Sequence, residues 1–400
     1  MTRRVLCVVG GGVGAFKALE LIRLLIDAGH DVEVIQTAAA REFVGAASLS
    51  AIAGRMVNDD LFGREPSVHT RLASWAERII VYPATADLMA KVAAGIADDV
   101  ALVTLLASSA PRALAPAMHT QMWSSPATQR SVATLRTDGA VLVGPTTGRL
   151  AGGDRGLGRL VDPWWMSLWL ELLEAAPELD LAGWKVLVSA GGTREPIDPV
   201  RVVANRSSGR QGRAIAAVAA LAGATVTLVT TEDAGPVGEL VEVVRVERAE
   251  ELLAAMRERQ PSADVVVQAA AVADFAPVAT ASSKIKRAGR SSLTIELGPT
   301  PDVLGELSAH REPHQIIVGF AAETGDPRTE VERKRAARDV DIMVGNDVSR
   351  ADAGFAVATN EVVLLDRDGR WGELALASKE QIAAGILAHA VAYARSHRLH

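Results

Sequence analysis

The same order of elements opens each half of this chain, and it constrains the fold more than any other feature. In the first half an apolar run, Arg4 to Val9, leads to glycines, a predicted helix from Phe16 to Ala28, and a β-branched run after Gly29. In the second half the apolar run starts at Lys185, and a helix is expected over about 212–222. Strands that alternate with helices indicate a parallel sheet covered on both faces. We therefore predict an α/β protein with two doubly wound, Rossmann-like domains.

The length of 400 residues also favours at least two domains. We expect a first domain over residues 1–162, a linker helix over 163–182 and a second domain over 183–400. The linker is rich in tryptophan, an amphipathic side chain that usually packs against apolar surface. An apolar surface between the halves or between subunits suggests a homo-oligomer.

Composition excludes several classes of protein. The net charge of −6 argues against nucleic acid as a partner, because such a protein needs a basic face. The single cysteine, Cys7, rules out a disulfide framework or a cysteine metal cluster, and we expect no fixed metal site in the protein. The run from Val5 to Gly12 fits a first strand better than a signal peptide, and 160–173 is too short to span a bilayer. A cytoplasmic protein without a membrane partner is expected.

The loop after the second apolar run carries the densest polar chemistry of the chain. Its glycines permit close approach of the backbone to a phosphate, and it ends at a helix N-terminus, which favours negative charge. We interpret it as a substrate loop that includes Gly191, Gly192, Thr193, Arg201, Asn205, Ser207 and Ser208.

Five further motifs follow in the second half, in a specific order. One of them, Val265 to Phe275, is predicted as a buried strand that ends in small residues and an acid. The others are a basic loop, a helix start, a strand end and a strand that closes on polar residues: Lys284–Arg287, Thr300–Leu304, Gly319–Thr324 and Asn346–Arg350. With the substrate loop, these motifs resemble the phosphopantothenate–cysteine ligase domain of coenzyme A biosynthesis over about residues 180–395.

This resemblance implies the family's chemistry. The carboxylate of 4′-phosphopantothenate attacks CTP, pyrophosphate leaves, and cysteine displaces CMP from the acyl-cytidylate, with Mg²⁺ spreading the developing charge. Asn205 would hold the acyl intermediate, and small molecules (phosphopantothenate, cysteine and CTP) would be the partners. The residues that would form the CTP site are Asp274, Lys284, Pro301, Asp302, Val303, Leu304, Phe320, Lys334 and Arg338.

The first half resembles the flavin-dependent cysteine decarboxylases over about residues 3–162. The resemblance is carried by four segments, namely His69–Ala76, Ile79–Asp87, Ala115–Trp123 and Gly148–Arg159. It implies that His69 is catalytic and that FMN is the cofactor, which oxidises the cysteine thiol, permits decarboxylation and then reduces the enethiol. The implied FMN contacts are Gly10, Gly11, Gly12, Thr37, Pro83, Ala84 and Thr85.

Two positions depart from the decarboxylase pattern. His119 replaces the asparagine that binds the substrate carboxylate, and Gly152 replaces the cysteine that donates a proton to the enethiol. We therefore expect a CTP-dependent ligase whose flavoprotein half is impaired for the standard reaction. The alternatives are an enzyme that stops at the enethiol or takes another substrate, a fully bifunctional enzyme rescued by another residue, and a binding or scaffold protein.

Overall fold

The computed structural model describes residues 2–61, 67–287, 291–354 and 357–397. These residues form two compact units, Met1–Leu170 and Glu171–His400. The boundaries expected from the sequence stay a prediction, and each unit is described by itself.

The first unit contains a five-stranded sheet, a hairpin and eight helices among the described residues. Its strands are β1 (Arg4–Val9), β2 (Asp31–Gln36), β3 (Arg78–Ala84), β4 (Arg112–Pro116), β5 (Val141–Leu142), β6 (Thr146–Arg149) and β7 (Arg155–Arg159). Its helices are α1 (Ala18–Asp27), α2 (Ala46–Ala53), α3 (Val68–Trp75), α4 (Ala86–Ala93), α5 (Val100–Ala107), α6 (Thr120–Ser124), α7 (Pro126–Thr137) and α8 (Trp164–Ala175), the last of which crosses the boundary between the units.

The main sheet of this unit is parallel, in the order β2-β1-β3-β4-β5. The chain therefore moves from β1 to one side and then to the other, so that a switch point lies between β1 and β3. The helix predicted from Phe16 starts later than expected. A 3₁₀ turn, closed by the bond from Ala15 N to Gly12 O at 2.8 Å, precedes α1.

The second unit is built on a sheet of eight strands in the order β12-β11-β8-β13-β16-β17-β18-β19, with two small hairpins. Its strands are β8 (Lys185–Ala190), β9 (Arg194–Pro196), β10 (Val202–Ala204), β11 (Thr225–Thr230), β12 (Glu242–Arg245), β13 (Val265–Gln268), β14 (Phe275–Pro277), β15 (Leu297–Pro299), β16 (Ile316–Glu323), β17 (Ile342–Asp347), β18 (Thr359–Asp366) and β19 (Trp371–Ser378). Its helices are α9 (Arg210–Leu221), α10 (Ala249–Arg259), α11 (Val303–Ala309), α12 (Arg328–Arg338) and α13 (Lys379–His397).

Six strands of this sheet run parallel, namely β12, β11, β8, β13, β16 and β17, and β18 and β19 extend the sheet in antiparallel fashion. In the sheet β8 lies between β11 and β13. The chain passes from β8 to β11 on one side and later returns to β13 on the other, so a second switch point lies between β8 and β13. The two parallel α/β domains expected from the sequence are thus confirmed.

The strand predicted over Val265 to Phe275 is wrong in its length. Strand β13 ends at Gln268, where the side chain accepts a hydrogen bond from Ser189 Oγ at 2.6 Å. The chain then leaves the sheet, and Ala271 forms an isolated bridge with Gly192. The small residues after Gln268 build a loop against the glycine loop of β8 rather than a longer strand.

Candidate functional site

Glycines bring three loops of the first unit together at the switch point between β1 and β3. A Cβ atom at Gly10 would lie 2.3 Å from Pro83 O, and one at Gly11 would lie 2.3 Å from Ala39 Cβ. No side chain fits at such distances, so glycine is required where β1 ends. Thr85, which caps α4 by accepting a bond from Leu88 N at 3.3 Å, lies on the opposite loop.

A cavity of about 990 Å³ opens beside these loops. Of the residues predicted to contact FMN, four line it, namely Gly11, Gly12, Thr37 and Thr85. Gly10, Pro83 and Ala84 are not among the lining residues. The remaining wall includes apolar side chains and cations, among them Val13, Phe16, Met118, Leu160, Lys17, Lys91, Arg149 and Arg159. Two acids, Asp87 and Asp99, also line the cavity, and Lys91 is paired with Asp87 at 3.4 Å. The cavity therefore offers backbone and cations for a phosphate at Lys17, Arg149 and Arg159, and apolar surface for an aromatic ring.

Among the residues that the structure describes in this unit, His69 does not line the cavity. It lies near the start of α3, and its Nδ1 atom is buried without a hydrogen-bond partner in the described residues. The catalytic role implied for His69 stays a prediction.

The two residues that depart from the decarboxylase pattern both line the cavity. His119 precedes α6, and Gly152 lies in the turn of the β6–β7 hairpin. His119 Nε2 lies 2.9 Å from Asp154 Oδ2 in the same turn. Sequence reasoning missed Asp154, because nothing in the spacing of 119 and 154 shows that the two residues meet.

Cys7 cannot supply the missing thiol. It is buried in the middle of β1, and burial raises the pKa of its thiol to about 12. The reactive thiolate is therefore scarce near neutral pH. We predict that the native protein shows no reaction with a thiol-specific dye at pH 8 and that one thiol reacts after unfolding in guanidinium chloride. Rapid labelling of the folded protein would contradict the buried position.

In the second unit, the loop after β8 is packed against its neighbours through glycines. Gly191 has a positive φ of 95°, and a Cβ there would lie 2.1 Å from Thr231 Oγ1. A Cβ at Gly212, in the first turn of α9, would lie 2.6 Å from Ala190 Cβ. The N-terminus of α9 thus lies directly against the end of β8.

The predicted substrate loop also contacts the loop after β13. The Thr193 hydroxyl, fully buried, accepts a hydrogen bond from Ala273 N at 2.9 Å. Asn205 Nδ2 donates to Val272 O at 2.9 Å. Asn205 is exposed, and so are its predicted CTP-site neighbours Asp274 and Lys284. These contacts hold the expected acyl-binding amide on the loop that leads to Asp274.

Asp198 joins the substrate loop to the basic loop. Its Oδ2 atom lies 2.7 Å from the Arg201 guanidinium and accepts a bond from Ile285 N at 3.1 Å, beside Lys284. Burial acts to raise the pKa of this carboxyl, but the backbone N–H donors and the charge of Arg201 outweigh it, so the pKa lies below its ordinary value. Asp198 was not among the predicted site residues; an acid between two prolines suggests only a turn.

The two predicted cations of α12 are both paired with carboxylates at the ends of other elements. Lys334 Nζ lies 2.5 Å from Glu323 Oε1 at the end of β16, and Arg338 Nε lies 3.0 Å from Asp302 Oδ2 at the start of α11. Phe320 lies on β16 at intermediate exposure.

The segment Pro301–Leu304 leads into α11, which Asp302 caps by accepting a bond from Gly305 N at 3.1 Å. Val303 and Leu304 are buried in the core. Their side chains therefore face away from solvent, and only backbone contacts with a nucleotide are available to them. The printed contacts thus place Asn205 against the loop after β13, Lys334 at the end of β16 and Arg338 at the start of α11.

Within the described ranges no group of three or more His, Cys, Asp or Glu side chains is arranged to hold a metal ion. In the same ranges no helix combines the length and apolarity needed to cross a membrane.

Two family models match the chain. Residues 1–164 match the flavoprotein family, and residues 181–393 match the DNA/pantothenate metabolism flavoprotein C-terminal domain. The coenzyme A biosynthesis bifunctional protein CoaBC of Mycobacterium tuberculosis is 46% identical over 400 residues, which cover 96% of this chain and 95% of the relative. CoaBC of Vibrio cholerae is 39% identical over 389 residues, covering 96% and 97%.

Among solved structures, the crystal structure of the C-terminal domain of a CoaBC protein is similar to the second half. It is 35% identical, covers 52% of this chain and 94% of that chain, and has a TM-score of 0.43. The sequence relatives match both halves of this chain in one polypeptide, and they favour the fully bifunctional alternative over an impaired flavoprotein half. The chain therefore belongs to the CoaBC family of bifunctional coenzyme A biosynthesis enzymes, which combine a ligase with a flavoprotein decarboxylase.

Proposed function

We propose that the second unit joins 4′-phosphopantothenate to cysteine with CTP, and that the first unit decarboxylates the product with FMN. The observation that supports the ligase assignment is the exposed amide of Asn205, held on the loop that leads to Asp274, with Lys284 on a loop tied to the substrate loop through Asp198. Lys334 and Arg338 supply two further cations. Cations stabilise a triphosphate, and an amide donates to an acyl oxygen without competing as a nucleophile.

The cations of α12 also support a metal-bound nucleotide. Lys334 and Arg338 are paired with the carboxylates of Glu323 and Asp302. A phosphate that binds the two cations in place of these carboxylates leaves both acids without their partners. Mg²⁺ prefers oxygen ligands and is usually bound through one or two carboxylates together with phosphates. We therefore propose Mg²⁺ as a companion of CTP rather than as a resident ion.

The ligase proposal is tested by mass spectrometry of the products formed from phosphopantothenate, cysteine, CTP and magnesium. Phosphopantothenoylcysteine, CMP and pyrophosphate in equal amounts are the expected products. Replacing CTP with ATP in the same assay tests the choice of nucleotide. Absence of all three products from a folded sample would overturn the assignment.

Replacement of Asn205 with alanine should separate the two ligase steps. Loss of one donor to a developing oxyanion typically slows a reaction by about 100-fold or more, so amide formation should slow by that order. The acyl-cytidylate should then accumulate, as seen by mass spectrometry of quenched samples. Val200→Ala is the matched control, since its side chain is 62% exposed in the same loop. Equal turnover of the two variants would contradict the role of Asn205.

The residues around the first cavity fit FMN. Gly11 lets the loop pack on Ala39, and a Cβ at Gly12 would meet only Thr85 Cγ2 at 3.4 Å. Thr85 begins a helix whose N–H groups suit a phosphate, and Phe16 offers an exposed apolar face. A flavin bound there supplies reversible uptake of two electrons. Yellow colour of the purified protein and release of carbon dioxide from phosphopantothenoylcysteine test this half.

We further propose that the enzyme is a cytoplasmic homo-oligomer. Several large apolar side chains near the first cavity are exposed, including Val13 at 58% and Phe16 at 57%. Exposed apolar clusters of this kind often become subunit interfaces. Native mass spectrometry tests the proposal, and a monomer at micromolar concentration would overturn it.

A further inference from the structure

Asp154 stands where a side chain at position 152 would point. A Cβ atom at Gly152 would lie 3.1 Å from Asp154 Oδ1, and the other carboxylate oxygen, Oδ2, lies 2.9 Å from His119 Nε2. His119 and Gly152 line the cavity, whereas Asp154 is not among its lining residues. The imidazole is therefore presented to the cavity with a carboxylate behind it.

Backbone contacts fix this pair. The turn of the β6–β7 hairpin is closed by Leu150 N, which donates to Asp154 O at 2.8 Å. Met118 N donates to Gly158 O at 2.9 Å, next to His119. A Cβ at Gly158 would lie 2.1 Å from Met118 O, so the hairpin packs directly on the segment that carries the histidine. The backbone segments that carry Asp154 and His119 are thus held against each other, while the two side chains are 45% and 42% exposed.

We propose that His119, positioned by Asp154, donates the proton that completes reduction of the enethiol, in place of the missing thiol at position 152. The inference rests on the proposed decarboxylase function of the first unit. An imidazole can carry a proton on each nitrogen, and a carboxylate at hydrogen-bond distance fixes which nitrogen remains bonded to it. His119 is the catalytic residue in this proposal, and Asp154 is a positioning residue.

The step balances in atoms and charge. A flavin held in the cavity would supply the two-electron exchange with the substrate. Reduction of the carbon–carbon double bond of the enethiol requires a hydride equivalent from that exchange and one proton. The proton comes from Nδ1 of the doubly protonated ring, while the N–H at Nε2 keeps its bond to Asp154. The ring ends neutral and regains its proton from solvent.

The test compares Asp154→Asn and His119→Asn with the wild-type holoenzyme and with Asp27→Asn, a control at an exposed carboxylate on α1. Each protein is given phosphopantothenoylcysteine without oxygen, and both carbon dioxide and product mass are measured. We expect carbon dioxide from every protein, but no more than one molecule per flavin from Asp154→Asn and His119→Asn, because the electrons that are not passed to the enethiol have no other acceptor without oxygen. The wild type and the control should give the reduced thiol, and the other two should give the enethiol, which has two hydrogens fewer. The ratio of thiol to enethiol should fall by about 100-fold, a usual effect of losing a general acid.

Two further measurements separate a proton donor from a structural role. Adding Gly152→Cys to Asp154→Asn should restore the thiol product, because it supplies the proton by another route. In the flavin-free protein, nitrogen-15 NMR of the His119 ring should show a hydrogen-bonded Nε2–H in the wild type and its loss in Asp154→Asn.

The outcomes are distinguishable. If the wild type releases no carbon dioxide, the proposed decarboxylase function fails and the inference fails with it. If the wild type releases carbon dioxide but leaves the enethiol, or if both variants still yield the thiol, the inference is overturned while the function stands. An unchanged His119 ring signal in Asp154→Asn overturns the positioning role.

Discussion

Asp198→Ala should lower the turnover of the ligase by about 100-fold, the order of effect expected when catalytic groups lose their alignment. The carboxylate holds Arg201 and the backbone N–H of Ile285, so its removal frees the loop that carries Lys284. Turnover is measured as pyrophosphate release at saturating CTP, and the melting temperature of each variant is recorded in parallel.

The matched control for this prediction is Asp233→Ala. Asp233 also pairs with an arginine, Arg245, at 2.7 Å, but its side chain is 84% exposed, whereas that of Asp198 is fully buried. The control should keep wild-type turnover. Lys284→Ala should reproduce the loss in turnover without a change in melting. Full activity of Asp198→Ala beside an inactive Lys284→Ala would show that the basic loop is held by other contacts.

Gly11→Ala should abolish FMN binding and leave the ligase active. The new methyl group would lie 2.3 Å from Ala39 Cβ and 2.7 Å from Ala39 C, so the loop after β1 must move out of its place beside the cavity. Overpacking of this kind costs about 1–3 kcal/mol in the free energy of unfolding. The visible absorbance of bound flavin and the rate of pyrophosphate release are measured on the same sample.

Gly45→Ala is the control for Gly11→Ala. A Cβ there has no atom within 4 Å, and φ at Gly45 is −70°, so alanine fits without strain. This variant should keep its flavin. Normal flavin content in Gly11→Ala would show that the loop adapts, and simultaneous loss of ligase activity would show that the variant has unfolded more widely than expected.

Sequence patterns predicted the sheets well and the contacts between loops poorly. The alternation of apolar strands and helices is a local property, so β1, β8 and the helices that follow them were found within a few residues. The end of β13 was predicted wrongly. The chain leaves the sheet at Gln268, where Ser189 donates a hydrogen bond, and apolar periodicity contains no information about that bond.

Roles that depend on contacts between residues far apart in the chain could not be predicted from the spacing of residues in the sequence. Asp154 is 35 positions from His119 in the chain, and Asp198 reaches a backbone N–H 87 positions away. The residues proposed for the nucleotide site come from resemblance to a known family, which reports the order of motifs and not their geometry. It gave no indication that Lys334 and Arg338 are held by Glu323 and Asp302.

Those two ion pairs have a consequence for the selection of ligands. Inorganic phosphate can bind Lys334 or Arg338 only if the paired carboxylate loses its partner. The unpaired carboxylate then repels the incoming phosphate. When a nucleotide binds together with a divalent ion, the positive charge of the ion neutralises the displaced carboxylates. The ligase unit should therefore exclude free phosphate and free pyrophosphate, and since pyrophosphate accumulates as the ligase works, it should resist inhibition by this inorganic product when magnesium is scarce.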